Sequence, residues 1–255
     1  MLGWKIFAHS LRMVFGNLPQ VLQIVIGPAV IGTVIVIGLF LMSGIPVEAF
    51  DGSTTGLPPE VNPASIILFI ILLAIVMLVT MGWIAVAWHR FILLEEYPGG
   101  LLPTFRFDRI LAYFGRGLML ILLFAIGYLP MLVMIGMLGE GAIAVSIFLT
   151  ILYIVFLTVC FYRLSIILPA AAIGRPITLG DAWSNTQGTW GAILVLVLVS
   201  ILFQFLVQLA GGVLSMIPVL GVLIGVFFGM VILPMINVSI LTTMYGVFIE
   251  KRELG

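Results

Sequence analysis

The chain lacks most of what enzymes and water-soluble folds are built from. Only 8% of its 255 residues are charged, and it has one cysteine and two histidines. A single thiol, Cys160, excludes an internal disulfide and a cysteine zinc site. It lies in an apolar run and reads as a packing residue. Neither His9 nor His89 belongs to an H-E-x-x-H motif, and the sequence has no G-x-S-x-G elbow and no G-x-x-x-x-G-K phosphate loop. Glu95 and Glu96 are adjacent carboxylates on a turn without the converging ligands that a metal needs. No cofactor, metal site or catalytic residue is expected, and the chain reads as a non-enzyme. Ten basic and ten acidic residues cancel, so nothing suggests a nucleic-acid partner.

What is abundant is apolar. At 63% hydrophobic, the chain has more apolar side chains than a soluble core of this size could enclose, so lipid must serve as part of its solvent. Six apolar stretches, at residues 21–43, 64–88, 117–138, 143–162, 191–210 and 219–248, approach or exceed the ~20 residues that cross a bilayer. A backbone in lipid must satisfy its own hydrogen bonds, and these runs are continuous rather than alternating, which predicts helices and excludes a barrel. The expected fold is an all-α membrane protein, a single domain over 1–255 with six transmembrane helices. Residues 4–18 lack a cleavage signature and read as retained structure.

Basic residues are missing from every connection on one side. Lys5, Arg12, Arg90, Arg106, Arg109, Arg116, Arg163, Arg175, Lys251 and Arg252 all fall on the other, while the base-free side carries Glu48, Asp51, Glu60 and Glu140. Basic segments stay in the cytoplasm during insertion, so both termini are expected there, in a multi-pass protein of the inner membrane. The connection at 44–63 contains Asp51-Gly52-Ser53 and Leu57-Pro58-Pro59 and reads as a solvated loop. Residues 211–218 are apolar enough for a turn that dips into the membrane.

A short segment with amphipathic spacing precedes each pair of spans. In the first, Lys5, His9 and Arg12 oppose Trp4, Phe7, Ala8, Leu11 and Val14; in the second, Arg106, Arg109, Tyr113 and Arg116 oppose Phe107, Ile110, Leu111 and Phe114. The third is weaker, with Asp181 and the interface anchors Trp183 and Trp190. Such helices lie in the interface, and Lys5, Arg12, Arg106, Arg109 and Arg116 are the candidate lipid-headgroup contacts. Arg90, Pro103, Asp108 and Gly115 have the same mutual offsets as Arg163, Pro176, Asp181 and Gly188. This register predicts three tandem units of surface helix plus transmembrane hairpin, over residues 1–90, 104–163 and 177–249.

The span interiors contain no Asp, Glu, Lys or Arg, which counts against a proton-coupled carrier. Ser200, Gln204 and Gln208 share one face of span five, and Asn237, Ser239, Thr242 and Thr243 lie in span six. Amides in hydrocarbon need partners, so Ser200, Gln204, Gln208 and Asn237 are expected to form a polar seam between spans five and six. Gly221, Gly225 and Gly229, at four-residue spacing, are expected to let another backbone approach. Pro28, Pro130 and Pro234 should kink their helices or end them.

Phe161-Tyr162-Arg163-Leu164-Ser165, Leu168-Pro169-Ala170-Ala171-Ala172-Ile173-Gly174, Asp181-Ala182-Trp183 and Gln187-Gly188 resemble uncharacterised bacterial inner-membrane proteins, which are similar to the membrane domain fused to some glycerophosphodiester phosphodiesterases. The stretch from Ala87-Trp88-His89-Arg90 to Phe91-Ile92-Leu93-Leu94 looks like alphaproteobacterial members. The resemblance implies a cytoplasmic-membrane location and a link to lipids. It carries over no catalytic residue, because the phosphodiesterase domain has no counterpart in this chain. Two functions follow as expectations: a lipid-interacting module or scaffold of a membrane complex, associated with lipids and with a protein partner or a second copy, or a small permease or channel using the polar seam.

Overall fold

The computed structural model describes residues 1–47, 62–100, 102–138, 143–217 and 219–254. Ten α-helices and one π-helical turn make up its regular structure, with no strand among the described residues. They are α1 (Leu2–Gly16), α2 (Leu18–Ser43), α3 (Pro63–Leu94), α4 (Phe107–Leu138), α5 (Ile143–Ser165), α6 (Ile167–Ile173), α7 (Leu179–Asn185), α8 (Trp190–Leu214), α9 (Leu220–Phe227), the π-turn Phe228–Ile232 and α10 (Leu233–Phe248). Six segments are long and apolar enough to cross a membrane: α2, α3, α4, α5 with α6, α8, and α9 through α10. The protein is an integral, multi-pass membrane protein.

Three antiparallel hairpins, α2/α3, α4/α5 and α8/α9, form the frame, one in each expected unit. Their introductory segments differ. α1 is a separate helix that stops at Asn17, whose side chain donates to the Met13 carbonyl at 2.7 Å. The second segment is not a separate surface helix. It runs without a break into span three, because neither Gly115 nor Gly117 ends the helix, which continues past Pro130 to Leu138. The third, α7, is held by a capping box between Thr178 and Asp181 and ends before Gly188, which takes the left-handed φ of 76°. Hydrogen bonds from the Thr178 hydroxyl and backbone hold the Asp181 carboxyl below its usual range.

α1 does not simply rest on lipid. Gly3, Ile6, Phe7, Ser10 and Val14 are buried, and α1 packs against both α8 and α10. A Cβ on Gly3 would lie 2.0 Å from the Ala192 carbonyl oxygen, so only glycine permits this approach. Ser10 donates to the Ile6 carbonyl at 2.8 Å and meets the Thr243 hydroxyl at 2.9 Å. Trp4 remains exposed, which leaves the expected apolar face only partly covered by protein.

α6 is the other departure from a simple connection. Pro169 has no N–H to continue the ladder of α5, and the helix breaks at Ile166. All seven residues of α6 are buried, packed against α3, α4 and α10. Alanines at 170–172 let these helices converge. α8 runs through Gly211 and Gly212 to Leu214 and is followed by an exposed turn over residues 215–217. The acidic connection at 48–61, Glu140 and Pro218 lie outside the described residues.

Candidate functional site

Pro234 shapes the largest consequence of the fold. Lacking an N–H, it cannot bond the carbonyl four residues back, and the turn before it widens into a π-turn in which the Leu233 N–H reaches the Phe228 carbonyl. Met230, Val231, Pro234, Met235 and Val238 form one wall of a cavity of about 370 Å³. The other walls are Val25 of α2, Leu78, Met81, Gly82, Ile84 and Ala85 of α3, and Tyr113, Phe114, Gly117, Leu118 and Ile121 of α4. Among these side chains Tyr113 brings the one hydroxyl. Met81, Ile121 and Met230 at its rim are exposed, so the cavity opens on the apolar flank of the bundle. Along α4 the wall from Tyr113 to Ile121 extends about 12 Å, close to the ~15 Å hydrocarbon depth of one leaflet.

One helical turn beyond Ala85 lies His89, and one turn beyond Val238 lies Thr242. They meet: His89 Nδ1 is 2.8 Å from Thr242 Oγ1. Thr242 gives its single hydroxyl proton to the Val238 carbonyl at 2.9 Å, so Oγ1 accepts from Nδ1–H. The imidazole Nε2 is then a bare acceptor, fully buried and without a hydrogen-bond partner among the described residues. The His89 ring lies 5.7 Å from the Tyr113 ring, which separates it from the cavity. The sequence places His89 at headgroup level; the continuation of α3 to Leu94 buries it instead. Its four-residue spacing from Ala85 was the available signal.

The arginines cluster at the same end as His89. Arg90 and Arg106 both bind Glu96, at 2.5 and 2.9 Å, and Arg90 also donates to the Ala172 carbonyl at 3.3 Å. Partial burial opposes ionisation of Glu96, but the hydrogen bonds from Arg90 and Arg106 outweigh it and hold the carboxyl below its usual range. Gln23, donating to the Pro98 and Gly100 carbonyls, and Trp83, donating to the Pro103 carbonyl, pin the same loop. The turn at Glu95-Glu96 is therefore a clamp, which adjacent carboxylates in a sequence do not reveal. Arg106 is committed to that clamp, and Arg109 pairs with Asp108 at 3.0 Å while lying against Gly174. Arg116 bonds the Ala112 carbonyl within its own helix at 3.3 Å. Arg109 and Arg116 flank Tyr113 on α4 at four and three residues. Lys5 and Arg12 are exposed on α1, and burial together with Arg12 lowers the pKa of His9.

Arg163, only 2% exposed, stacks 3.6 Å from the Trp183 ring centre and donates to Thr186 Oγ1 and the Trp183 carbonyl at 3.0 and 2.8 Å. It ties α5 to α7, as Arg90 ties α3 to α6.

The expected polar seam is not assembled. Ser200 is buried, Gln204 half-buried and Gln208 exposed, while Asn237 faces outward and donates to its own Leu233 carbonyl at 3.1 Å. The reason is α1, which touches α8 through Phe7 and Phe203 and α10 through Ser10 and Thr243. The glycine stripe is also divided. A Cβ on Gly221 would lie 1.8 Å from the Leu214 carbonyl oxygen, but Gly225 and Gly229 have nothing within 4 Å and line a separate 250 Å³ groove with Gln208. The turn after α8 brings only the first glycine against a backbone.

Cys160 is a buried free thiol, and the described residues contain no group of three or more His, Cys, Asp or Glu side chains placed to hold a metal. Compared with protein-family models, curated proteins and solved structures, the chain matches none of them.

Proposed function

We propose that this protein is a non-enzymatic lipid-binding module of the bacterial cytoplasmic membrane, with its basic end and both termini inside. The cavity between α2, α3, α4 and α10 carries the proposal. It is apolar, opens sideways on the bundle's lipid-facing flank, and is about as deep as one leaflet. Arg109 and Arg116 flank its hydroxyl-bearing end, where headgroups of the inner leaflet lie, and Lys5 and Arg12 extend the basic surface. The resemblance of 161–188 to membrane domains fused to phosphodiesterases of lipid-derived substrates accords with this role, as does service as a scaffold for a partner chain. The permease reading loses its support because its four polar side chains are not brought together.

Gly117 provides the test. It lines the cavity and has no atom within 4 Å of its Cβ position, so Gly117→Phe should fill the cavity without a backbone clash. Native mass spectrometry of gently extracted protein is expected to show retained lipid on the wild type and little on the variant. Equal retention on both would refute the cavity as the binding site.

A further inference from the structure

We infer that the cavity selects a lipid ending in a hydroxyl, such as a long-chain alcohol or a monoacylglycerol, and that His89 Nε2 receives that hydroxyl's proton in a hydrogen bond. The inference rests on the lipid-cavity reading and specifies which lipids satisfy it. Three observations converge on one end of the cavity. The Ala85 face of α3 continues to His89, the Val238 face of α10 continues to Thr242, and Tyr113 belongs both to the cavity lining and to the aromatic contact with His89. Thr242 fixes the tautomer, since its own proton is spent on the Val238 carbonyl. Nε2 therefore offers a lone pair and no proton, and it is buried without a hydrogen-bond partner among the described residues.

A buried acceptor with no donor is unfavourable, and a ligand that supplies one gains what the free protein lacks. A hydroxyl matches both polar groups at this end, because it donates to Nε2 and accepts from the Tyr113 phenol. A phosphodiester or an ether brings only acceptors and leaves Nε2 facing another lone pair. The Tyr113 ring stands between the cavity and His89, so the ring turns aside as the hydroxyl arrives. The chain then lies along Gly117 and Ile121 of α4, opposite Pro234.

The test uses the full chain in detergent micelles and two probes of matched length, hexadecan-1-ol and hexadecyl methyl ether, titrated by native mass spectrometry. The alcohol is expected to bind about ten-fold more tightly than the ether, the ratio that corresponds to the net contribution of one hydrogen bond. His89→Phe should bring the alcohol down to the ether's affinity and leave the ether unchanged. The comparison on the unmodified chain stands even if that variant does not fold. Equal binding of both probes to the wild type overturns the hydroxyl assignment and leaves the lipid cavity intact. Binding of both probes that is indifferent to Gly117→Phe overturns the cavity reading itself.

Discussion

Trp88 and Ile71 belong to the same helix, yet Trp88 has no exposed surface and Ile71 is 51% exposed. The contrast extends to the whole bundle. At the basic end, α1, α6 and α7 fill the spaces between hairpins, and the main cluster of buried side chains joins Ile6, Trp88, Ile167, Ile193 and Met244. Toward the other end the hairpins run on with little between them: Ile67 and Leu68 of α3, Leu129 and Leu132 of α4 and Ile147 and Phe148 of α5 are all exposed. The two ends solve the hydrophobic problem differently. One buries its side chains against protein, and the other leaves them to lipid, whose tails are as apolar as leucine and impose no penalty. The packing and most of the buried polar groups concentrate at the basic end, which the 370 Å³ cavity reaches through Tyr113.

The comparison breaks if substitutions at the two ends cost the same. Ala172→Leu forces three more carbon atoms into a site with no exposed surface against α3 and α4, and should destabilise by about 2–3 kcal/mol, read as a lower melting temperature in detergent. The matching change at the other end, Ala144→Leu at an exposed position of α5, should be silent. Thr242→Val removes the acceptor for His89 Nδ1–H inside the core and should cost about 1–3 kcal/mol. Glu96→Gln should cost less, under about 1 kcal/mol, because the clamp is partly exposed. Its pH dependence has a defined sign. The folded-state pKa of Glu96 lies below the unfolded one, so its contribution is complete above the ordinary carboxylate range and fades as pH falls through the lowered value. A melting curve of the wild type should lose that contribution in acid, and the glutamine variant should lack this part of the acid sensitivity. Gly225→Leu, which has open space, should likewise change stability by less than about 0.5 kcal/mol. A large loss there would show that the far end is packed by a partner helix.

The spans themselves were legible because length and continuous hydropathy decide them, and the six observed helices cover all six expected stretches. The interior contacts were less so. Ser200, Gln204, Gln208 and Asn237 are polar side chains at helical spacing, but spacing within two helices says nothing about a third lying between them, and α1 does. The Leu168–Ile173 run looks like a loop between spans because it follows Arg163 and contains Pro169; its burial comes from tertiary contacts with α3, α4 and α10. His89 shows the same limit. A histidine beside an arginine at a helix end reads as headgroup-level polarity, but α3 continues to Leu94 and carries His89 on the buried face of Ala85 while Arg90 reaches Glu96. The cavity has no motif of its own, since it arises from Pro234 widening one turn of a neighbouring helix.

The most direct measurement of the central claim is photocrosslinking of the full chain in phospholipid vesicles doped with a long-chain alcohol that carries a diazirine on its chain, with the labelled residues mapped by mass spectrometry. A chain held in the cavity predicts label concentrated on the walls at 113–121 of α4 and 230–238 of the π-turn and α10, and its loss from both in Gly117→Phe. Label spread evenly over the exposed faces of α2, α3, α4 and α5, unchanged by that substitution, would contradict it.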